Sequence, residues 1–315
     1  MPYFSIIIPL YNKAPYISKT LESVMGQTFE DYELIIIDNG SNDGSSEIIA
    51  KFTDQRIQIV RLAENIGVSN ARNEGASLSK APYITFLDAD DWWEPTFLEE
   101  MAGLIKRHPD AGIYGTGYNI VKNGHKRQAS IGIETEFSEG QINYCQVYAK
   151  TLCMPLTSIT VAMPREVFDE MGGFKSQLKL GEDFDLWIRI ALKHKVIFLN
   201  KPLSNYNQDV DVTFRGTHHL HEPKEHMLWN LNYLEPVEKT NLDYKQLIDN
   251  LRAYSLLPYL LTKQYYSAAR QELDKVDWSR QPIKTQRLYR LPIWILRLRR
   301  FVLRMGATIK KHLYS

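Results

Sequence analysis

Two hydrophobic patterns alternate over the first hundred residues of the chain. Phe4–Ile8, Leu34–Ile37, Ile57–Leu62 and Tyr83–Leu87 are short, nearly continuous apolar runs rich in β-branched residues, the pattern of strands buried on both faces of a parallel sheet. Tyr16–Met25, Ser45–Phe52 and Val68–Leu78 space their apolar residues at helical intervals, with Asn, Asp, Gly or Pro at the joins. Strands alternating with such helices predict right-handed βαβ units in an open, mainly parallel α/β sheet. Sheets of this kind bind ligands at the carboxyl ends of their strands.

The pattern loosens from Gly112 onward. An Asn123-Gly124 pair predicts a hairpin, and so an antiparallel part of the sheet. A strand near Ser158–Met163 and a helix near Asp183–Lys193 follow, and beyond about Glu222 the sequence is helical and polar. Two regions are therefore expected, an α/β domain over 1–221 and a helical region over 222–315. The net charge is only +1, but from Arg280 on there are ten Lys or Arg and no acid, while the rest has 28 bases against 37 acids. That asymmetry implies a basic end with its own partner. Two cysteines, Cys145 and Cys153, do not make a disulfide framework. Tyr3–Leu10 is too short for a secretory signal and lacks a positive region. No uncharged apolar run approaches the roughly 20 residues that span a bilayer. A cytoplasmic setting is the expectation.

Candidate chemistry gathers where the predicted strands end: Pro9, Tyr11 and Asn12 after the first, Asp38 and Asn39 after the second, Glu64 and Asn65 after the third, Asp88 and Asp90 after the fourth. Phe86–Asp91 is the densest case, an apolar strand running into three acids. Hard oxygen ligands at Asp88 and Asp90 suit Mg²⁺ or Mn²⁺, with phosphate oxygens completing the shell. The plainer reading makes Asp90 or Asp91 the cap of a helix beginning near Glu94-Pro95.

Five motifs in order carry a resemblance: Ser5-Ile6-Ile7-Ile8-Pro9-Leu10-Tyr11-Asn12, Ile37-Asp38-Asn39-Gly40-Ser41-Asn42-Asp43-Gly44-Ser45, Asn65-Ile66-Gly67-Val68-Ser69-Asn70-Ala71-Arg72-Asn73, Leu87-Asp88-Ala89-Asp90-Asp91 and Gly181-Glu182-Asp183-Phe184-Asp185-Leu186-Trp187. Together they closely resemble the family 2 glycosyltransferases of the GT-A fold, over about the first 215 residues. The resemblance implies an inverting, metal-dependent transfer from a nucleotide-sugar. Negative charge then builds on the departing diphosphate, where a cation on Asp88 and Asp90 would neutralise it. It also implies that Asp183 is the base that takes the acceptor's proton, with Glu182 as the fallback. Acids at the head of a helix are also favoured by its dipole, a role compatible with the first.

For the nucleotide, Pro9, Tyr11, Asp38, Asn39, Arg72 and Asp88 are the expected contacts, Tyr11 through its ring and Arg72 through its guanidinium. The family commonly has two acids where this chain has Asp38-Asn39, so UDP leads while GDP and dTDP stay open. Trp92, Trp93 and Trp187 are candidates to stack on an acceptor sugar, Trp187 being equally readable as core. The histidines of Thr217–His221 and His226 lack a cysteine or acid to complete a zinc set, leaving one histidine at most for the metal or phosphate site.

Near the end, Leu291, Trp294, Ile295, Leu298, Val302, Met305 and Ile309 fall on one helical stripe with arginines facing away, so 288–311 reads as a basic helix suited to a membrane surface or to packing on the domain. A basic groove with interleaved aromatics is missing from the main body, which counts against nucleic acid. The family's Gln-x-x-Arg-Trp motif of processive synthases is absent, which favours a single transfer to a glycan or lipid-linked acceptor in surface-polysaccharide assembly. The rivals are a sugar nucleotidyltransferase, which would place a glycine-rich loop where Leu10-Tyr11-Asn12-Lys13 stands, and a nucleotide-sugar or glycan binding module without turnover.

Overall fold

The structure is a computed structural model that describes residues 1–211 and 220–298. Its first unit, Met1–Leu231, opens with the expected alternation: β1 Phe4–Leu10, α1 Ile17–Met25, β2 Tyr32–Asp38, α2 Ser45–Ile49, β3 Ile57–Arg61, α3 Val68–Leu78 and β4 Tyr83–Phe86. There follow β5 Trp92–Trp93, α4 Phe97–Arg107, β6 Ile113–Lys122, β7 His125–Gln128, β8 Glu139–Ile142, α5 Tyr144–Thr151, β9 Val161–Pro164, α6 Arg165–Glu170, α7 Glu182–Ala191 and β10 Val196–Asn207.

The strands form one sheet in the order β3-β2-β1-β4-β9-β6-β10-β5, with β7 beside β6 and β8 beside β10. β3, β2, β1 and β4 run parallel, while β9 lies antiparallel between β4 and β6. Successive strands step outward from β1 to β3 and then jump back to β4 on the other side. That reversal opens a crevice at the carboxyl ends of β1 and β4. Side chains of β1 and β2 are buried on both faces, as their unbroken apolar runs predict: Ile6, Ile8, Leu34 and Ile36 join the core with Leu21, Val24 and Met101, while Ile35 and Ile37 pack with Ala71. On the Ala71 side, α3 lies very close to the sheet, for a Cβ added at Gly75 would stand 2.4 Å from Ile7 Cγ2.

Two local readings differ from the structure. The acids of 88–91 do not feed a helix at Glu94-Pro95, because Trp92 and Trp93 pair with Asn205 and Ser204 of β10 and the helix starts at Phe97. The Trp93 ring stacks on Phe97 and its indole N–H donates to the Ile159 carbonyl at 2.7 Å, tertiary contacts that outweigh the local cap signal. The expected strand at 158–163 is split into a 3₁₀ turn at Ser158–Thr160, with a capping box at Thr157, and β9. Asn123 and Gly124, with φ of 50° and 72°, form the β6–β7 hairpin turn as anticipated.

The segment after β10 stays with the first unit as far as Leu231, tied by a Leu180–His226 bridge and by the Lys179 N–H donating to the Glu225 carbonyl at 2.8 Å. The second unit opens at Asn232 and among its described residues is helical: α8 Glu235–Thr240, α9 Leu242–Ser255, α10 Leu257–Leu260, α11 Tyr266–Leu273 and α12 Ile283–Arg290. Its buried charges are mutually paired, with Arg252 bonded to both Glu238 and Glu272. No described helix is long and apolar enough to cross a membrane. Neither Cys145 nor Cys153 is in a disulfide.

Candidate active site

Three loops at the crevice are bonded to one another. After β1, the N–H groups of Asn12, Lys13 and Ala14 donate to Ser41 Oγ, Ser45 Oγ and Asp43 Oδ2 at 3.1, 3.0 and 2.9 Å. Asp38, at the end of β2, turns its carboxylate into its own loop, accepting from the Ser41 N–H at 3.1 Å and from the Ser46 hydroxyl. Asn39 is buried, and its amide donates to Asn65 Oδ1 at 3.0 Å while its carbonyl accepts from the Ile66 N–H at 2.9 Å. Gly40 makes this approach possible: its φ is +75°, and a Cβ there would stand 2.8 Å from the Glu64 backbone. Asp38 and Asn39, expected nucleotide contacts, stand at this rim, and the bonds they make order the cradle. Pro9 is partly buried within β1, and Tyr11 presents its ring at 38% exposure on the same rim.

The acid turn follows β4. Thr20 on α1 places its hydroxyl 3.0 and 2.8 Å from the carbonyls of Ala89 and Asp91, which fixes the turn against the helix. Asp91 points inward and accepts from the Asn207 N–H at 2.7 Å; burial, then Asp90 and Asp88, push its carboxyl well above the usual carboxylate range. Asp88 and Asp90 stay at the crevice, each against one cation. Arg72 Nη2 lies 2.6 Å from Asp88 Oδ1, and Lys13 Nζ lies 2.6 Å from Asp90 Oδ2. Lys13 was not singled out from sequence; a lysine two residues past the first strand's aromatic was the available signal. Burial raises the Asp90 carboxyl, the Lys13 ammonium opposes the shift and Asp88 adds to it.

Arg72 joins this turn to the candidate base. Its side chain is buried, and its other terminal nitrogen lies 3.1 Å from Glu182 Oε1 at the head of α7. The guanidinium thus stands between two acids, where the sequence had pictured it reaching for phosphate or base. α7 begins at Glu182 because Gly181 takes φ +81°, and a Cβ at that glycine would strike the Met227 side chain at 2.4 Å. Asp183 comes next and accepts from the Phe184 N–H at 2.7 Å. Burial first, then the Glu182 carboxylate, lifts its carboxyl to about 7, against the pull of Arg72. Burial, then Tyr148 and Asp183, pushes up the Tyr144 hydroxyl, which is buried with no hydrogen-bond partner among the described residues. Asp185 faces away into the protein, held by Lys175 at 2.7 Å and Arg189 at 2.9 Å.

Among the described residues no three His, Cys, Asp or Glu are grouped to hold a metal ion. Asp88 and Asp90 nonetheless fit a hard divalent cation that arrives with phosphate. They are two oxygen-bearing acids on one turn, and burial, then the neighbouring Asp88 carboxylate, raises the Asp90 carboxyl against the pull of Lys13, a crowding of negative charge that a cation relieves. His226 has no such role: its Nδ1 accepts from the Leu228 N–H at 3.1 Å, and burial, then His221, lower its pKa to about 4. His218 and His219 lie outside the described residues.

Two of the three candidate stacking tryptophans belong to the core. Trp93 is 2% exposed and stacked on Phe97, and Trp187 is fully buried edge-on to Phe174. Trp187 sits on the buried side of α7, one turn along from Asp183, among Phe184, Ile188 and Ile190. Trp92 remains partly open, but the Lys19 ammonium already stands over its ring, 3.1 Å from the centroid.

The sequence profile described as glycosyl transferase family 2 matches residues 5–172. A glycosyltransferase of Rickettsia felis without assigned function is 28% identical over 242 residues, 71% of this chain and 39% of the relative. Glycosyltransferase GlyA of Streptococcus pneumoniae is 30% identical over 215 residues, 64% of this chain and 30% of the relative. The chain thus spans less than half the length of either. The amylovoran biosynthesis glycosyltransferase AmsB of Erwinia amylovora is 28% identical over 246 residues, 74% of this chain and 78% of the relative. In fold, the chain is similar to the crystal structure of S. aureus TarS in complex with UDP-GlcNAc, with a TM-score of 0.71 at 19% identity, covering 87% of this chain and 81% of that one.

Proposed function

The chain belongs to glycosyl transferase family 2, and from that premise we propose that it moves a single sugar, with inversion, from a nucleotide-sugar to a glycan or lipid-linked acceptor. The observation that carries this reading is the bridge through Arg72, which sets the acid turn of Asp88 and Asp90 beside a carboxyl raised to about 7 at Asp183. A base with that pKa is half-ionised near neutral pH, where general-base catalysis is most effective.

In the proposed reaction Asp183 takes the proton of the acceptor hydroxyl as its oxygen attacks the anomeric carbon. The bond from that carbon to the diphosphate oxygen breaks on the opposite face, and its electron pair leaves with the nucleoside diphosphate. Arg72 and Lys13 hold the carboxylates of the acid turn in place. A Mn²⁺ or Mg²⁺ ion on Asp88 and Asp90 supplies charge neutralisation for the departing diphosphate when bound. TarS bound to UDP-GlcNAc supports a uridine donor, and the name of AmsB supports an acceptor in surface-polysaccharide biosynthesis. Association with the cytoplasmic face of a membrane through 288–311 belongs to the same proposal, although 299–311 lie outside the described residues.

Asp183→Asn tests the reading. Transfer from a UDP-sugar is expected to fall by at least about 10³-fold, at the lower end of what general-base removal costs, while calorimetric UDP binding persists. Full transfer by the variant would remove Asp183 as base. Failure of the unmodified protein to bind UDP, GDP or dTDP, with or without Mn²⁺, would remove the donor site.

A further inference from the structure

Beside the acid turn, on the side of α1, lies an open cleft of about 470 Å³ lined by Tyr16, Lys19, Trp92, Lys126, Asn207 and Asp209, among others. It is built from the start of α1, β5, the β6–β7 hairpin and the end of β10, none of which bears Asp183. It adjoins the candidate chemistry through Trp92, next to Asp91, and through Asn207, whose N–H donates to Asp91 Oδ1.

The charges in this cleft do not close among themselves. Lys19 holds its ammonium over the Trp92 ring and has no carboxylate partner among the described residues. Burial, then the neighbouring Lys126 ammonium, lowers its pKa, so two cations face the same space. Glu94 pairs with Lys126 and also accepts from Asn205 Nδ2 at 2.9 Å. Asp209 lines the cleft as well, but its oxygens accept from the N–H groups of Asn123 and Gly124 at 2.5 and 2.9 Å. The face of the ring that Lys19 covers is not open to a sugar; it positions the cation.

We propose that this cleft is an acceptor subsite for an anionic sugar residue, whose carboxylate or phosphate group is bonded by Lys19 and Lys126. The inference rests on the donor and base reading above for the word acceptor, and its volume is that of a small-ligand cleft. An anion seated there provides Lys19 with a counter-ion and shares the Lys126 ammonium with Glu94.

The full chain, labelled so that the Trp92 indole N–H is visible by NMR and assigned with Trp92→Phe, is titrated with glucuronate, glucose 6-phosphate, glucose and inorganic phosphate. Saturable movement of that signal is expected with one or both charged sugars and not with glucose, and the tighter of the two identifies carboxylate or phosphate as the group read. Lys19→Met should weaken that binding about tenfold, the scale of one charge-assisted hydrogen bond, and Lys19→Arg should retain it. Equal binding of glucose, equal binding of bare phosphate, or no loss in Lys19→Met would overturn the proposal. UDP titrated into the same unmodified protein reports the donor site separately, so its failure is told apart from failure of the cleft.

Discussion

At the scale of single residues, Asp183 and Asn39 are positions where chemistry and stability pull against each other. With the Asp183 carboxyl near 7 in the folded chain and 3.8 as its ordinary value, the folded state binds the extra proton between those limits. Stability from this group is therefore complete below about pH 4 and is lost as pH rises toward 7. Transfer runs the opposite way, since the base must be ionised: kcat/KM should fall tenfold per pH unit below about 7 and level off above it. Asp183→Asn should accordingly raise the melting temperature of the free protein at pH 8, with the gain shrinking toward pH 4. Asn39 stands where relatives commonly carry an acid, and the structure supplies a reason for the amide. Its N–H₂ donates to Asn65 Oδ1, which also accepts from the Gly67 N–H at 2.8 Å. Asn39→Asp would set two acceptors against each other or, if Asn65 turned over, strand the Gly67 N–H. About 1–3 kcal/mol is at stake for a buried polar group left unpaired, and thermal denaturation should show a drop of a few degrees.

Elements place these residues by close packing. α7 delivers Glu182 and Asp183 to the crevice because one face carries Phe184, Trp187, Ile188 and Ile190 into the core, while Gly181 sets its start. α3 delivers Arg72 from the other direction, and its closeness to β1 depends on Gly75. Gly75→Ala would force a methyl onto Ile7 in a packed interior, an overpacking cost of about 1–3 kcal/mol. Because α3 also carries Arg72, the expected result is a lower denaturant midpoint together with weaker coupling of the acid turn to α7. An unchanged midpoint would mean that the helix can move away from the sheet at little cost.

On the scale of the whole chain, charge is divided between an acidic site and a basic end. Two carboxylates alone make a poor cage for Mn²⁺ or Mg²⁺, which take further oxygens from phosphate and water. Mn²⁺ should therefore bind the free protein weakly and the UDP-bound protein at least about tenfold more tightly, and Asp90→Asn should abolish that difference in calorimetry. At the basic end the single helix expected over 288–311 is interrupted: α12 ends at Arg290, Leu291 is extended before Pro292, and 293–298 are helical with Leu296, a residue off the expected stripe, turned inward and the stripe residues Trp294 and Leu298 exposed. Val302, Met305 and Ile309 lie outside the described residues. The full chain should sediment with anionic vesicles and not with neutral ones, and about 0.5 M salt should release it if charge carries the attraction, worth about 1 kcal/mol per basic side chain near the surface. Equal sedimentation with neutral vesicles would point to the apolar stripe alone.

What the sequence determined was the part of the fold written in short-range pattern. Continuous apolar runs can be buried only on both faces of a sheet, so β1 to β4 and the helices between them were legible, as was the hairpin at Asn123-Gly124 where positive φ is required. The acids after β4 and at the head of α7 were legible too, because polar residues at the carboxyl end of a buried strand have few places to point. Tertiary structure decided who faces whom. It put Trp93 and Trp187 in the core and drew Asp38 and Asn39 into the cradle. It placed Arg72 between Asp88 and Glu182 and brought Lys13 to Asp90, pairs separated by 16, 110 and 77 positions along the chain. No local pattern encodes such pairings, since they depend on strand order and helix depth. The raised carboxyl of Asp183 follows from the same source, for burial and neighbouring charge exist only once the chain has folded around it.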